Sequence, residues 1–240
     1  MQVLLPLKEF AAAKQRLSGV LSAAERAQLF AAMVEDVLLV LTQHPAVENI
    51  AICSRDQSAR WLANYYGVEF VDETVLPTFD LNTAINSAAR KIFSRGENDV
   101  LVVHGDLPLL SVDDLTAFLQ AHRNGREKAV TIAPDRRGTG TNLLAWRGLP
   151  DFTASYGENS FQRHCAQARL LKIEPTICEL PGACCDIDEP DDLLLLLSRP
   201  ATGRATKSLT FLRDSGVAAR LQAMQDVANN SRSGDGRERA

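Results

Sequence analysis

No run of apolar residues in this 240-residue chain approaches the roughly 18 needed to cross a bilayer, so the sequence offers no helical membrane span. An excess of basic residues is also missing: 26 Lys and Arg stand against 30 Asp and Glu, a formal net charge of −4. Broad binding to nucleic acid or to an anionic membrane needs a basic face, so an anionic ligand would have to be held by a local cluster of cations and backbone amides. Cysteine is scarce and odd in number, five in all with no CxxC pair. In a chain of this length that favours a reducing, cytoplasmic setting over a disulfide scaffold, and vicinal Cys184 and Cys185 read as semi-buried thiols. His44, His104, His122 and His164 are scattered without an HExxH, so no zinc site is suggested. The Walker motif, the GxGxxG dinucleotide fingerprint and the GxSxG nucleophile elbow are all absent, which argues against P-loop, dehydrogenase and serine-hydrolase chemistry. The N-terminus, MQVLLPLKEF, has neither the basic n-region nor the cleavage site of a signal peptide and begins like a core strand.

What is present is ordinary globular material, 45% hydrophobic and 23% charged, enough to bury a substantial core. Short apolar runs alternate with amphipathic stretches. Residues 2–5, 47–53, 68–71, 100–104 and 129–134 read as strands, with further strands near 142–146 and 177–180. Helices are predicted over 57–66, 81–95, 112–122 and 159–168, and one begins at Pro190. A long helix starts at Ser22, where Ser22 and Glu25 form a capping box, and runs to about Gln43 on the spacing of Leu29, Met33, Val37 and Leu41. Trp61 and Trp146 read as packing residues. This βα alternation predicts an α/β domain, a mostly parallel sheet with helices on both faces, over 1–198. From 199 to 240 there are eight basic and four acidic residues. Residues 207–225 predict one more helix in an extension over 199–228, with an apolar face suited to a homodimer contact. Residues 229–240 are too polar to bury and predict a disordered tail.

Five motifs sit where chemistry would be expected. GDLPLL (105–110) directly follows the strand VLVVH, and ligands of open α/β sheets bind beyond the carboxyl ends of strands; Asp106 there could hold Mg²⁺ or merely close the turn. In DIDEPDDL (186–193), Asp186 and Asp188 point to one face of an extended segment while Ile187 points to the core. Two such carboxylates repel unless a cation sits between them, whereas Asp191 and Asp192 suit the positive end of the helix opened by Pro190. DRRGTGTNLL (135–144) offers turn amides at Gly138 and Gly140, with Thr139, Thr141 and Asn142 as donors. YGENSF (156–161) leads into a helix at Ser160, a place for an anion or for plain capping by Asn159 or Ser160. LPLKEFAAAKQRL (5–17) puts Lys8, Lys14 and Arg16 after the first strand, where mononucleotide folds keep their phosphate loop.

Taken in order, LPLK…AKQRL, FDLNTAI (79–85), GDLPLL, DRRGTGTNLL, YGENSF and DIDEPDDL resemble the CofC/FbiD family over roughly residues 1–198. These are guanylyltransferases of coenzyme F420 biosynthesis with a fold similar to the nucleotide-diphospho-sugar transferases. The resemblance implies GTP, Mg²⁺ and a small phosphorylated three-carbon acid as partners, with pyrophosphate released. It implies that Asp106, Asp186 and Asp188 hold the metal, and that Thr141, Gly157 and Ser160 contact the acid. Lys8, Lys14 and Arg16 would bind the triphosphate, with Asp106, Lys8 and Lys14 carrying catalysis and Asn82 and Thr83 lying near the guanine. YGENSF departs from the FGPGS of members that use phosphoenolpyruvate, and its extra polar side chains favour 3-phospho-D-glycerate over phosphoenolpyruvate or 2-phospho-L-lactate. Other readings remain open at this point: a molybdopterin guanylyl- or sugar-phosphate cytidylyltransferase of the same fold, or a non-catalytic nucleotide binder.

Overall fold

Alternation along each strand sorts its side chains to two faces. A computed structural model describes residues 1–75, 80–125, 127–199 and 206–234. Its strands are β1 (Gln2–Pro6), β2 (Asn49–Ser54), β3 (Glu69–Asp72), β4 (Asp99–Val103), β5 (Ala129–Pro134), β6 (Thr141–Arg147) and β7 (Thr176–Ile177). They form one sheet in the order β3-β2-β1-β4-β6-β5-β7. β6 runs antiparallel to both β4 and β5, and every other pairing is parallel. The helices are α1 (Ala23–Gln43), α2 (Gln57–Tyr66), α3 (Leu81–Ser94), α4 (Val112–Arg123), α5 (Ser160–Leu170), α6 (Pro190–Leu197), α7 (Thr206–Asp214) and α8 (Val217–Gly234).

Val3, Leu5, Ile50, Ile52, Leu101 and Val103 face a core shared with α1, α2, α4, α6, α7 and α8. Leu4, Ala51, Val100, Val102, Leu144 and Trp146 face the opposite core, closed by α3 and α5. The strands are apolar on both faces because both faces are covered. The expected α/β architecture is therefore the observed one, with a mixed but mostly parallel sheet.

The capping box at Ser22 forms as read: the Glu25 amide donates to Ser22 Oγ and the Ser22 amide donates to Glu25 Oε2. Trp146 is buried, whereas Trp61 is exposed and stacks on Tyr65. All five cysteines are free thiols.

The C-terminal segment differs from the single helix predicted over 207–225. α7 ends where Gly216 takes φ +75°, a left-handed conformation that glycine adopts without penalty, and α8 starts anew at Val217. α7 is tied to the domain by Asp36, a buried α1 carboxylate that accepts from the Lys207 and Ser208 amides and from Ser208 Oγ. Leu209, Leu212, Val217 and Leu221 complete the core on that face. α8 continues to Gly234, into the stretch read as a disordered tail, while residues 235–240 and Phe79 of the FDLNTAI motif lie outside the described residues. No helix among the described residues is long and apolar enough to cross a membrane.

Candidate active site

The sheet order reverses between β1 and β4, the switch point beyond which open α/β sheets bind ligands. A cleft of about 690 Å³ opens there. The loop after β1 supplies Lys8, Lys14 and Arg16, the loop after β4 supplies His104, Gly105 and Asp106, and the segment before α6 supplies Asp186 and Asp188. Because β6 is antiparallel, its first residues rather than its last reach the same edge, so Thr141 and Asn142 also line the cleft, with Gly157 and Ser160 beside them.

Backbone contacts bring the acidic loops together. The Ile187 amide donates to the Asp106 carbonyl, and Ile187 is fully buried, so Asp186 and Asp188 are turned outward as the two-residue alternation predicts. Asn142 holds the same segment, its Nδ2 donating to the Ala183 carbonyl and to Asp186 Oδ1. Gly105 lets the chain pass close to the core: a Cβ there would stand 2.5 Å from Leu7 Cδ2 and 3.0 Å from Val34 Cγ2.

Lys14 is the centre of the charge arrangement. Its backbone is left-handed at φ 54°, sparsely populated for a side chain of this kind, and short 3-10 turns at Phe10–Ala12 and Gln15–Leu17 flank it. From there Nζ reaches 2.5 Å from Asp106 Oδ2 and 2.7 Å from Asp188 Oδ1. Burial is the largest influence on the Lys14 ammonium and works against its charge, yet the two carboxylates outweigh it and leave the pKa raised. Burial likewise pushes Asp106 upward, but Lys14 and then His104 bring it below the usual carboxylate range. Asp186 has no ion pair among the described residues; burial, followed by the charge of Asp106, raises it to about 6.

Among the described residues no three His, Cys, Asp or Glu side chains stand close enough together to hold an ion as arranged. The Lys14 ammonium already lies between two of the three carboxylates, and Asp186 remains short of positive charge. Hard carboxylate oxygens left in excess over their cation suit Mg²⁺, and Asp106, Asp186 and Asp188 are the residues that could hold it.

A rim of arginines went unread in the sequence. Arg136 Nη2 lies 2.9 Å from Asp192 Oδ1, and Arg137 Nη2 lies 2.9 Å from Glu189 Oε2, which also takes Arg16 at 3.4 Å through Oε1. Both arginines line the cleft. The signal available was an Arg-Arg pair at the exit of a buried strand, ahead of a glycine-rich turn. Asp192 has more than the dipole role expected of it: besides holding Arg136, it accepts from the Asp188 and Glu189 amides at the start of α6.

Asn82 and Thr83 do not line the cleft, although Leu81 next to them does. Asn82 instead clamps the Tyr156 backbone, accepting from its N–H at 2.6 Å and donating to its carbonyl at 3.1 Å. The Thr83 amide donates to Asp80, the N-cap of α3. In YGENSF only Tyr156, Gly157 and Ser160 line the cleft, while Glu158 and Asn159 are exposed. The side chains that made 3-phospho-D-glycerate attractive thus do not face the ligand space. Asn159 precedes α5 with φ 54° and makes no side-chain cap.

Comparison with known proteins agrees with this geometry. Residues 1–231 match the family model described as guanylyl transferase CofC like, so the match runs through α7 and into α8, beyond the span of the sequence motifs. The chain is 38% identical over 198 residues to the phosphoenolpyruvate guanylyltransferase of Roseiflexus castenholzii, covering 82% of this chain and 88% of that one. It is 36% identical over 216 residues to the protein of the same name from Roseiflexus sp., covering 89% and 93%. Among solved structures, a chain assigned as a nucleotide-diphospho-sugar transferase of Desulfovibrio desulfuricans superposes with a TM-score of 0.71 at 18% identity, covering 92% of this chain and 96% of its own. A 4-diphosphocytidyl-2C-methyl-D-erythritol synthase superposes at 0.56 and 14% identity, covering 81% and 96%. These two similarities concern the fold. By the family match and these sequence identities, the chain belongs to the CofC-like guanylyl transferase family and is a nucleotidyltransferase.

Proposed function

We propose that the enzyme transfers GMP from GTP to a phosphorylated three-carbon acid and releases pyrophosphate. The observation that carries this reading is the meeting of Lys8, Lys14 and Arg16 with Asp106, Asp186 and Asp188 in one cleft whose other wall holds Thr141, Gly157 and Ser160. Cations for a triphosphate, carboxylates for a divalent metal and a small anion site thus lie together at the switch point. The names of the relatives favour phosphoenolpyruvate as the acceptor, and with Glu158 and Asn159 turned to solvent no lining residue of YGENSF argues for the extra hydroxyl of 3-phospho-D-glycerate. By the family resemblance the product would enter coenzyme F420 biosynthesis in the cytoplasm.

The chemistry asks little proton transfer of the protein. The acceptor phosphate is already ionised near neutral pH, so one of its oxygens can attack the α-phosphorus in line. A new P–O bond forms, the bond to the bridging oxygen of the β-phosphate breaks, and pyrophosphate leaves with that electron pair. Bound through Asp106, Asp186 and Asp188, Mg²⁺ would supply neutralisation of the phosphate charge. Lys8, Lys14 and Arg16 steady the departing pyrophosphate, and Thr141, Ser160 and the Gly157 backbone orient the acid. Arg136 and Arg137, held by Asp192 and Glu189, keep positive charge at the rim without occupying the centre. Asn82 and Thr83 do not line the cleft, and Asn82 supports its acid wall through its hold on Tyr156.

Pyrophosphate release measured with GTP, Mg²⁺ and each of the three acids, with ATP and CTP as controls, tests this directly. Release with GTP and phosphoenolpyruvate alone is expected. Release with CTP in preference to GTP, or with none of the acids, would refute it.

A further inference from the structure

A hydrogen-bonded chain behind the acid side of the cleft has a direction that the amino acids themselves dictate. His164, on α5, is fully buried, and both ring nitrogens are engaged. Nε2 lies 2.9 Å from the Ser155 backbone nitrogen and Nδ1 lies 2.9 Å from Thr141 Oγ1. A backbone amide can only donate, so Nε2 is the accepting, unprotonated nitrogen. The neutral ring must then carry its hydrogen on Nδ1 and donate it to Thr141. Burial, followed by the charges of His104 and Arg163, lowers the ring pKa to about 3, so the ring stays neutral at working pH. The Tyr156 ring, edge-on at 4.8 Å, packs against the imidazole, and Asn82 anchors the Tyr156 backbone.

The consequence falls on Thr141. Its oxygen accepts from His164, so its own hydroxyl proton is left to donate, and no other protein group among the described residues takes that proton. Thr141 is almost fully buried yet lines the cleft beside Gly157 and Ser160. We propose that His164 is a positioning residue that locks the Thr141 hydroxyl as a donor to an anionic oxygen of the acceptor acid and so sets acceptor affinity. This rests on the proposed acceptor site, and it explains why a buried histidine without a carboxylate partner stands behind that site. His122 shows the contrast: its Nε2 pairs with Asp99 and its Nδ1 with Thr131, away from the cleft.

Two measurements test it. In wild-type protein, long-range ¹⁵N–¹H spectra of the histidines should show His164 protonated at Nδ1 and bare at Nε2; the opposite tautomer would overturn the proposal without any variant. Steady-state kinetics with GTP, Mg²⁺ and phosphoenolpyruvate then compare Thr141→Val, His164→Gln, His164→Asn and the double variant Thr141→Val/His164→Gln, each checked for an unchanged melting profile. Gln can return an acceptor near the position of Nε2 but leaves Thr141 undirected, whereas Asn can return a donor near Nδ1. Thr141→Val and His164→Gln should each raise the acceptor KM about tenfold, the loss of one hydrogen bond to a charged group. KM for GTP should stay within about twofold, His164→Asn should retain most of the acceptor affinity, and the double variant should be no worse than Thr141→Val alone. Additive effects, or equal rises in both KM values, would overturn the proposal. Wild-type turnover with an unchanged acceptor KM in both single variants sinks this inference alone. A wild type that neither binds nor turns over any of the three acids sinks the acceptor site and this inference together.

Discussion

Replacing Lys14 with methionine removes the cation that touches two carboxylates at the centre of the cleft, and does so without changing the left-handed backbone cost that both side chains share. In the native protein the Lys14 side chain is only 5% exposed and Asp106 21%, with Nζ at 2.5 and 2.7 Å from Asp106 and Asp188. Removing one member of a buried ion pair typically costs about 3–5 kcal/mol, because the partner is left charged and unpaired. Asp188 is 44% exposed and partly screened by water, so the lower end, about 3 kcal/mol, is expected here. For a chain of this size that corresponds to a fall in Tm of about 6–12 °C.

Differential scanning calorimetry of Lys14→Met and wild type, with and without MgCl₂, measures it. The pH dependence has a definite sign. The folded pKa of Asp106 lies below the ordinary carboxylate value of 3.8, so its contribution is present above that value and lost as pH falls through the folded pKa. The gap between the two proteins should therefore be full at neutral pH and close in acid. Mg²⁺ should recover much of the lost stability in the variant, because a divalent cation supplies the missing charge, while turnover remains poor without the ammonium. A fall of less than about 2 °C would refute the claim that these carboxylates depend on Lys14. A full fall that Mg²⁺ does not offset would refute their assignment as metal ligands.

Three further outcomes follow from the same geometry. Asp186 is raised to about 6, so its favourable contribution is complete below 3.8 and disappears as pH rises through 6; Asp186→Asn should stabilise the metal-free protein at pH 8 by about 1–2 kcal/mol while slowing turnover, and a destabilised variant would contradict this. Asp36→Ala deprives two α7 amides and Ser208 Oγ of their acceptor. It should cost about 2 kcal/mol and speed hydrogen exchange in α7 more than elsewhere, whereas a uniform increase would mean that α7 is not separately anchored. Gly105→Ala forces a methyl against Leu7 and Val34. It should cost about 1–3 kcal/mol and reduce kcat by displacing Asp106, and wild-type values for both would show that the loop relaxes freely.

Several features of this molecule were readable from neighbours along the chain. Ser22 and Glu25 are three residues apart and cap each other whatever surrounds them. Ile187 is drawn into the core, and the strand repeat then turns Asp186 and Asp188 outward together. GDLPLL follows a strand apolar on both faces, which is enough to expect Asp106 at the ligand edge. The family motifs extend that reading to Lys8, Lys14, Arg16, Thr141, Gly157 and Ser160, and all of these line one cleft.

Other features have no local signature, because they depend on how the sheet is assembled. The short turn 135–140 between β5 and β6 cannot make a parallel crossover and so reverses β6, but only the seating of β6 beside β4 brings Thr141 to the active edge. Lys14 meets Asp106 and Asp188 across separations of 92 and 174 residues, and only the shared crevice brings them within reach of one another. His164 was one of four scattered histidines until α5 packed it between Ser155 and Thr141. Glu158 and Asn159, polar and next to the site in sequence, were turned to solvent by the left-handed entry into α5. Periodicity and capping act over one or two turns, and so the chain alone determines its elements and their ends. The meeting of distant charges at one point follows from packing two cores against a single sheet, which only the tertiary structure decides.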